Sequence, residues 1–184
     1  PSGLRVVPCH LSLDYKRHAR HDMLKDILFH LRDRAEVVLV DAPSGLGEDA
    51  LHVIKAVDKI IVVTTADLAS VTDCLKTVRI AREQGIKIMG AVVNKVEESE
   101  FECALENVET VLEIPIIGLI PYDQSVMEAH HHKYPVVYTH QHAKGTIGFK
   151  KLAANIIGEH YETDLTKKEG VLNYILQRTG FKDY

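Results

Sequence analysis

The sequence contains no tryptophan and only three cysteines among its 184 residues. Cys9, Cys74 and Cys103 are far apart in the chain and form no C-x-x-C pair. A disulfide framework needs an even number of cysteines, and a zinc or iron–sulfur site needs closely spaced ones. We therefore expect reduced thiols in a cytoplasmic protein, with neither structural disulfides nor a cysteine-bound metal.

Long apolar runs and a strong excess of one charge are also absent. No apolar stretch approaches the roughly 20 residues that a transmembrane helix requires, and the N-terminus has no signal-peptide pattern. The net charge of -4 argues against a nucleic-acid footprint over the whole surface, although not against a local basic patch. With 46% hydrophobic residues, we expect one domain over residues 1–162 and a tail over residues 163–184.

Apolar segments alternate with amphipathic segments along the chain. Uninterrupted apolar residues predict buried strands, and helical spacing of apolar residues predicts helices. This alternation predicts an α/β fold with a mostly parallel sheet flanked by helices. The predicted strands are 4–7, 36–41, 59–64, 86–93 and 115–120, with a strand-like segment at 135–138. The predicted helices are 21–34, 48–57, 70–84, 123–131 and 146–160. One more helix is predicted after a capping box formed by Ser99 and Glu102, and it is lined by apolar residues between 101 and 112.

The stretch VVLVDAPSGLG, residues 37–47, carries the clearest chemical pattern. Its apolar residues predict a strand buried on both faces, and Asp41 stands at the carboxyl end, where ligands bind in open α/β sheets. Gly45, in the turn that follows, would let a bulky anion approach the backbone. A carboxylate beside a glycine turn suits a magnesium ion held through water next to a phosphate. An aspartate that only caps the next turn is equally compatible with the pattern.

Other polar residues end or directly follow predicted strands: Thr64, Thr65, Asn94 and Asp123. Because the carboxyl ends of parallel strands share one edge of a sheet, we expect these residues and Asp41 to gather on one rim. The Asn94 amide, with one acceptor and two donors, can read the N6 and N7 edge of adenine. A turn or helix cap is the alternative role for Asn94.

These patterns resemble the MinD/ParA family of deviant-Walker P-loop ATPases, and the resemblance runs from about Leu4 to Ile157. The stretch at 37–47 matches the family's Walker B and switch II form, hhhhDxPxGhG, and IPYDQSV at 120–126 resembles its I-P-x-D segment. The P-loop pattern G-x-x-x-x-G-K-[ST] is missing, because the dipeptide Gly-Lys occurs nowhere in the sequence. A truncated sequence is the simplest explanation, and natural loss of the P-loop is the alternative.

The resemblance implies a P-loop NTPase fold without its P-loop strand, and ATP and magnesium as ligands. By this resemblance Asp41 would hold magnesium, through water, and Gly45 would contribute its backbone N–H to the catalytic pocket. Asn94 would contact adenine. Pro121 and Asp123 would close over the base and the ribose.

The resemblance also places Asp73 near the interface of an ATP-dependent homodimer, facing the partner's nucleotide pocket. Without the family, Asp73 would be an acid in the first turn of a helix, where the macrodipole favours it. Phosphoryl transfer depends on P-loop amides and lysines as well as on magnesium. We therefore expect the complete protein to be an ATPase, and this chain alone neither to bind ATP tightly nor to hydrolyse it.

The tail, residues 163–184, begins with a polar linker and continues as GVLNYILQRTGFKDY. Helical spacing would gather its apolar residues on one face with basic residues around them, as in an interfacial membrane helix. A last helix that docks on the domain is the alternative. The predicted membrane-binding residues are Val171, Leu172, Ile175, Leu176 and Phe181.

The resemblance therefore implies the C-terminal portion of an ATPase that couples ATP binding and hydrolysis to dimerisation and reversible membrane association in cell-division site placement. Such a protein would be cytoplasmic and peripheral at the inner face of the cell membrane. Its partners would be a second copy, Min-type cell-division regulators and the membrane surface, without sequence-specific nucleic acid. The alternatives are a ParA-like partition ATPase that uses non-specific DNA, and a P-loop-less binding module without enzymatic activity.

Overall fold

The computed structural model describes residues 3–8, 23–97 and 99–161. The chain divides into two compact units, Pro1–Val57 and Asp58–Tyr184. Among the described residues, no helix is both long and apolar enough to cross a membrane. The predicted boundary after residue 162 and the predicted tail lie outside the described residues, and with them Val171, Leu172, Ile175, Leu176 and Phe181.

Two amphipathic helices of the first unit, α1 (Leu24–Arg32) and α2 (Glu48–Ala56), pack against each other. In α2, Ala50 and Ile54 are buried, and their spacing of four residues places them on one face. Both helices confirm the sequence prediction, with ends within a few residues of those expected.

The strands predicted at 4–7 and 36–41 are wrong, because neither segment has regular secondary structure. Val37 is 50% exposed and Leu39 is 79% exposed, so the expected burial on both faces is wrong as well. A strand is stabilised by ladder hydrogen bonds to a neighbouring backbone. Within the described residues no strand pairs with either segment, and apolar sequence alone cannot supply that partner.

The second unit contains a parallel three-stranded sheet in the order β1 (Lys59–Thr64), β2 (Lys87–Val96), β3 (Ile116–Pro121). The crossover from β1 to β2 contains α3 (Leu68–Glu83), and the crossover from β2 to β3 contains α4 (Leu105–Leu112). The predicted α/β fold with a parallel sheet is confirmed.

The main hydrophobic core lies between the sheet and helices α3 and α4. Val62 of β1 is buried with Val71 and Val78 of α3 and with Val108 and Leu112 of α4. Because β1 alternates buried and exposed positions, only one of its faces belongs to this core. The strand predicted at 59–64 is confirmed, but its side chains alternate as in a strand that is covered on one face only.

Up to residue 161, where the described part of the chain ends, three helices follow the sheet: α5 (Gln124–His131), the one-turn α6 (Val136–Thr139) and α7 (Lys144–Ile157). Helix α7 packs on β3, and both α5 and α6 contact α7. The approach to β3 is close: a Cβ on Gly118 would lie 2.8 Å from Cδ1 of Leu152. A side-chain hydrogen bond helps to fix the position of α7 along β3: Nδ2 of Asn155 donates a hydrogen bond of 2.7 Å to the carbonyl of Ile117.

Two local predictions between these elements are wrong. The segment predicted as strand-like, 135–138, forms α6 instead. The Tyr138 amide donates a hydrogen bond of 3.0 Å to the Pro135 carbonyl, so the backbone is satisfied locally and does not need a neighbouring strand. The capping box is not formed either, since Glu102 accepts from the Glu97 amide and α4 starts only at Leu105. Phe101, predicted on the buried face of that helix, is 88% exposed.

We predict that Gly90→Ala lowers the free energy of unfolding by about 3 kcal/mol. Gly90 has φ of +152°, and a Cβ there would lie 2.6 Å from the Pro115 carbonyl oxygen. The new methyl would therefore force β2 and the start of β3 apart in a backbone conformation that already disfavours alanine. Urea unfolding followed by circular dichroism measures the loss.

Gly85→Ala is the matched control for this prediction. Gly85 also has a positive φ, +68°, but an added Cβ would meet no atom within 4 Å. We expect a loss of only about 1 kcal/mol from the left-handed conformation. Equal losses for the two variants would contradict the close approach at Gly90.

Candidate functional site

The three strands of the second unit end at one edge of the sheet, and three of the predicted polar residues, Thr64, Asn94 and Asp123, lie there. Thr64, the last residue of β1, pairs with the residue before Asn94. Asn94 pairs with Ile120, the residue before Pro121, and Asp123 follows two positions later. The structure thus brings Thr64, Asn94, Pro121 and Asp123 to one edge, and we call these four residues the strand-end cluster.

Asn94 lies at an irregularity in β2 that sequence analysis did not predict. Strand β2 does not stop at residue 93 but continues to Val96, and the pairing with β3 shifts between Asn94 and Val96. Lys95, between them, has a positive φ of 58°. Its backbone N–H donates a hydrogen bond of 2.9 Å to Oδ1 of Asn94. This bond fixes the orientation of the amide.

The fixed amide of Asn94 determines what it can recognise. Oδ1 uses one lone pair on the Lys95 N–H, which leaves a second lone pair beside the two Nδ2 donors. The side chain is half-exposed at the sheet edge. A donor and an acceptor side by side at a fixed angle match the N7 and N6 positions of adenine.

Asp123 joins the N-termini of two helices. Its Oδ1 accepts a hydrogen bond of 2.9 Å from the Ser125 amide and caps α5. Its Oδ2 accepts another of 2.9 Å from the Gly145 amide in the first turn of α7. One carboxylate therefore satisfies backbone donors that both helices would otherwise leave without a partner.

These contacts lower the pKa of Asp123. Partial burial is the largest single influence and raises the pKa, but the hydrogen bonds from the backbone amides of Gly145 and Ser125 together outweigh it. The carboxylate therefore titrates below its ordinary value of 3.8. It is charged at neutral pH, which suits its position at two helix N-termini.

Sequence analysis missed two residues of this edge, Gly145 and Lys95. A Cβ on Gly145 would lie 2.8 Å from Cγ2 of Val126 and 3.2 Å from Cβ of Asp123, so only glycine fits without a shift. The spacing of Gly145 and Gly148 in α7 was an available signal, because small residues three apart on a helix indicate a close approach. No sequence signal marked Lys95, whose positive φ is uncommon for a residue other than glycine.

The turn between β1 and α3 contains a second aspartate cap. Asp67 accepts a hydrogen bond from the Thr65 hydroxyl and one of 2.9 Å from the Ser70 amide. These hydrogen bonds lower the pKa of Asp67 to about 2, and the bond from Thr65 has the larger effect, followed by the bond from the Ser70 amide. Asp73, in the exposed part of the same helix, forms an ion pair of 2.7 Å with Lys76. Its role at a dimer interface stays a prediction.

Asp41 and Gly45 belong to the first unit. Asp41 is exposed and lies in the segment without regular structure, so it does not end a strand as predicted. The predicted glycine turn is confirmed, because Gly45 has φ of +81°. Gly47 then serves as N-cap residue of α2. The proposed roles of Asp41 in holding magnesium and of Gly45 in the catalytic pocket stay predictions.

Comparison with known families adds evidence of a different kind. The model of the ParA family, described as NUBPL iron-transfer P-loop NTPase, matches residues 13–157. An uncharacterised ATP-binding protein of Methanocaldococcus jannaschii is 34% identical over 169 residues, which are 92% of this chain and 64% of that protein. The septum site-determining protein MinD of Bacillus subtilis is 23% identical over 143 residues, 75% of this chain and 53% of that protein.

Solved structures show the same fold. The cell division ATPase MinD of Pyrococcus furiosus has a TM-score of 0.76 and 27% identity, and the match covers 81% of this chain and 63% of that one. MinD of Pyrococcus horikoshii, complexed with Mg-ADP, has a TM-score of 0.75 and 24% identity over 80% of this chain and 60% of that one. The chain spans about three-fifths of the length of these relatives.

We expect Asp123→Ala to lower the free energy of unfolding by about 2 kcal/mol at neutral pH, because two helix N-termini lose their acceptor. Asp123→Asn keeps a side-chain oxygen and should cost less, about 1 kcal/mol. Asp67→Ala, which removes a cap from one helix only, is the matched control. Urea unfolding of the three variants gives the comparison, and equal losses for Asp123→Ala and Asp67→Ala would contradict the double cap.

The stability difference between the wild-type chain and these variants should also depend on pH, in a direction that the pKa of Asp123 defines. Because the pKa of Asp123 in the folded state lies below 3.8, its carboxylate stabilises the fold fully above that pH. This contribution is lost as the pH falls through the lowered pKa of the folded state. The difference in stability between the wild-type chain and Asp123→Asn should therefore shrink on acidification and stay constant at higher pH.

Proposed function

The chain belongs to the ParA family of P-loop NTPases, and from this premise we propose that its strand-end cluster binds the adenosine part of ATP. The observation that carries the proposal is the Asn94 amide, held in one orientation by the Lys95 N–H at the carboxyl edge of a parallel sheet. Ligands of open α/β sheets bind at this edge. The descriptions of relatives as ATP-binding and as complexed with Mg-ADP support the same ligand.

Within this proposal each predicted residue has a separate task. Asn94 reads the N6 and N7 edge of adenine, and Pro121 and Asp123 form the loop beside the base and the ribose. Asp41 holds magnesium through water, and the Gly45 N–H contacts phosphate. A single exposed carboxylate fits magnesium, because this ion keeps several waters and takes its other ligands from the substrate phosphates. Magnesium would supply charge stabilisation at the phosphates.

For the full gene product we propose an ATPase that dimerises around ATP, with Asp73 near the interface. Its tail, residues 163–184, would bind the inner face of the cell membrane reversibly. One basic amphipathic segment binds a membrane weakly, whereas two segments on a dimer raise the effective concentration. Nucleotide state would then control membrane occupancy and, with Min-type partners, the placement of the division site.

For the 184-residue chain alone we propose weak nucleotide binding and no hydrolysis. Most of the affinity of P-loop proteins for ATP comes from P-loop amides and a lysine that contact the phosphates. The sequence contains no Gly-Lys dipeptide to supply them. The base-binding residues can still be tested in this chain, at ligand concentrations near a weak dissociation constant.

We predict that millimolar AMP shifts the side-chain amide resonances of Asn94 in the ¹⁵N-labelled 184-residue chain, whereas GMP does not. Guanine presents a carbonyl oxygen where adenine presents its N6 amine, and this oxygen would face Oδ1 of Asn94. A dissociation constant near 1 mM corresponds to about -4 kcal/mol, which a base contact without a P-loop can supply. Nuclear magnetic resonance titration measures both ligands.

Asn155 provides the internal control for this titration, because its side-chain amide is bound to the carbonyl of Ile117, at the other end of β3 from Pro121. Its side-chain resonances should move with neither nucleotide. Equal shifts of Asn94 with AMP and GMP would contradict adenine recognition. Calorimetry with MgATP should give a dissociation constant weaker than micromolar, and a micromolar value would contradict the proposed need for the P-loop.

We expect sedimentation of the chain with anionic liposomes to fall in the variant Ile175→Asp and in a chain without residues 164–184. The added carboxylate would lie on the apolar face that must enter the membrane interface. Asn173→Asp, with the same added charge off that face, is the control and should lose much less. Sedimentation that is equal in all four proteins would contradict membrane binding by the tail.

A further inference from the structure

A groove with a volume of about 560 Å³ runs along α6 and α7, apart from the strand-end cluster. We call it the α6–α7 groove. None of the roles proposed above uses its residues. They are Val137, Tyr138, Gln141, Phe149, Lys150 and Ala153.

The α7 side of this groove is an apolar and partly exposed face. Phe149, Ala153 and Ile157 follow one another at intervals of four residues and therefore lie on one side of the helix. Ile157 is 55% exposed, and Tyr138 opposite is 61% exposed. The part of α7 around Gly148 packs on β3 instead. Apolar side chains that stay partly exposed along a groove are a feature of interaction sites.

The last described residue of the chain, Tyr161, lies beside this groove. Helix α7 ends at Ile157, and its C-cap residue Gly158 has φ of +76°, which turns the backbone away from the helix axis. Tyr161, three residues later, has its ring 5.9 Å from Nζ of Lys150, within the range of a cation–π contact. Lys150 lines the groove. The segment that follows Tyr161 therefore starts next to the groove.

We propose that the α6–α7 groove is the docking site of residues 163–184 of the same chain. Helical spacing would place Val171, Leu172, Ile175 and Leu176 of this segment on one face, which is the anchor pattern of a helix that binds in a groove. Between Tyr161 and Val171 the chain can span up to roughly 30 Å, whereas the stretch of α7 from Phe149 to Ile157 is only about 12 Å long.

Tethering makes even a weak contact effective. A segment attached next to its binding site experiences an effective concentration in the millimolar range. The docked segment buries the same apolar residues that a membrane would bury. Docking therefore competes with membrane binding and would keep the tail off the lipid until the groove releases it, which goes beyond the membrane role proposed above.

Hydrogen–deuterium exchange of the full chain without lipid tests this proposal. Amides between residues 171 and 177 should exchange at least about tenfold more slowly in the wild-type chain than in Ala153→Arg. Ala153 is exposed, so arginine there fills the groove with a charged side chain and leaves the packing of α7 on β3 in place. Ala104→Arg, at the exposed N-cap residue of α4, is the control and should keep the wild-type exchange rates.

A second measurement changes the tail instead of the groove, and so does not depend on the folding of Ala153→Arg. The chain contains no tryptophan, so Tyr138→Trp places one reporter in the groove. Adding Ile175→Asn should shift its emission to longer wavelength, because the reporter becomes exposed. Ala153→Arg should also increase sedimentation with anionic liposomes relative to the wild-type chain.

Three outcomes would overturn the proposal. One is exchange at residues 171–177 that is equal in the wild-type chain and Ala153→Arg. Another is an emission spectrum that Ile175→Asn does not change. The third is exchange at residues 171–177 that becomes slower as the protein concentration rises, because the tail would then occupy the groove of a second copy. Since exchange and emission are measured without lipid or nucleotide, failure of the proposed membrane or ATP binding would leave these two results unchanged.

Discussion

The carboxylate of Asp123 is the contact on which the arrangement of the second unit depends. It accepts the Ser125 amide of α5 and the Gly145 amide of α7 at the edge where the three strands end. Partial burial of a charged group is unfavourable, but two helix N-termini supply both hydrogen bonds and a favourable dipole. The loop after β3 and the first turn of α7 are thereby fixed together.

The close approach of α7 to the sheet follows from the same region. Gly145 leaves room for Val126 and Asp123, and Gly148 leaves room for the backbone around Ile120. Glycine in a helix interior costs about 1 kcal/mol relative to alanine, so these positions lower the intrinsic stability of α7. Burial of the first half of the helix against β3 offsets that cost. Its later turns stay half-exposed and form one side of the α6–α7 groove.

The fold of the second unit could be predicted from local sequence, because its strands and helices carry uninterrupted or periodic apolar residues and find partners in the same unit. The strand predicted at 36–41 has the same apolar pattern but no neighbouring strand among the described residues. A pattern can indicate that a segment prefers to be buried, but the ladder depends on residues that are distant in sequence. The segment 135–138 shows the opposite effect, because Pro135 begins a one-turn helix whose hydrogen bonds are all local.

The candidate site was predictable in its residue types and not in its geometry. Asn94 and Asp123 stood out because polar residues follow apolar runs, and a parallel sheet must bring such residues to one edge. The contacts that orient them come from Lys95, whose backbone conformation has no sequence signature, and from Gly145, distant in sequence from Asp123. Candidate site residues can thus be read from the sequence, while the groups that hold them in position depend on the folded chain.

Helix α7 links the two surfaces for which functions are proposed. Its first turn donates the Gly145 N–H to Asp123, and its later turns line the α6–α7 groove. In the two proposals the apolar residues of the tail are buried either in the groove or in a membrane, and not in both at once. The groove has the advantage of tethering, and the membrane has the advantage of a larger apolar volume and, for a dimer, of two tails. Since a single amphipathic segment binds lipid only marginally, a weak contact in the groove would in this proposal be sufficient to decide which of the two the tail occupies.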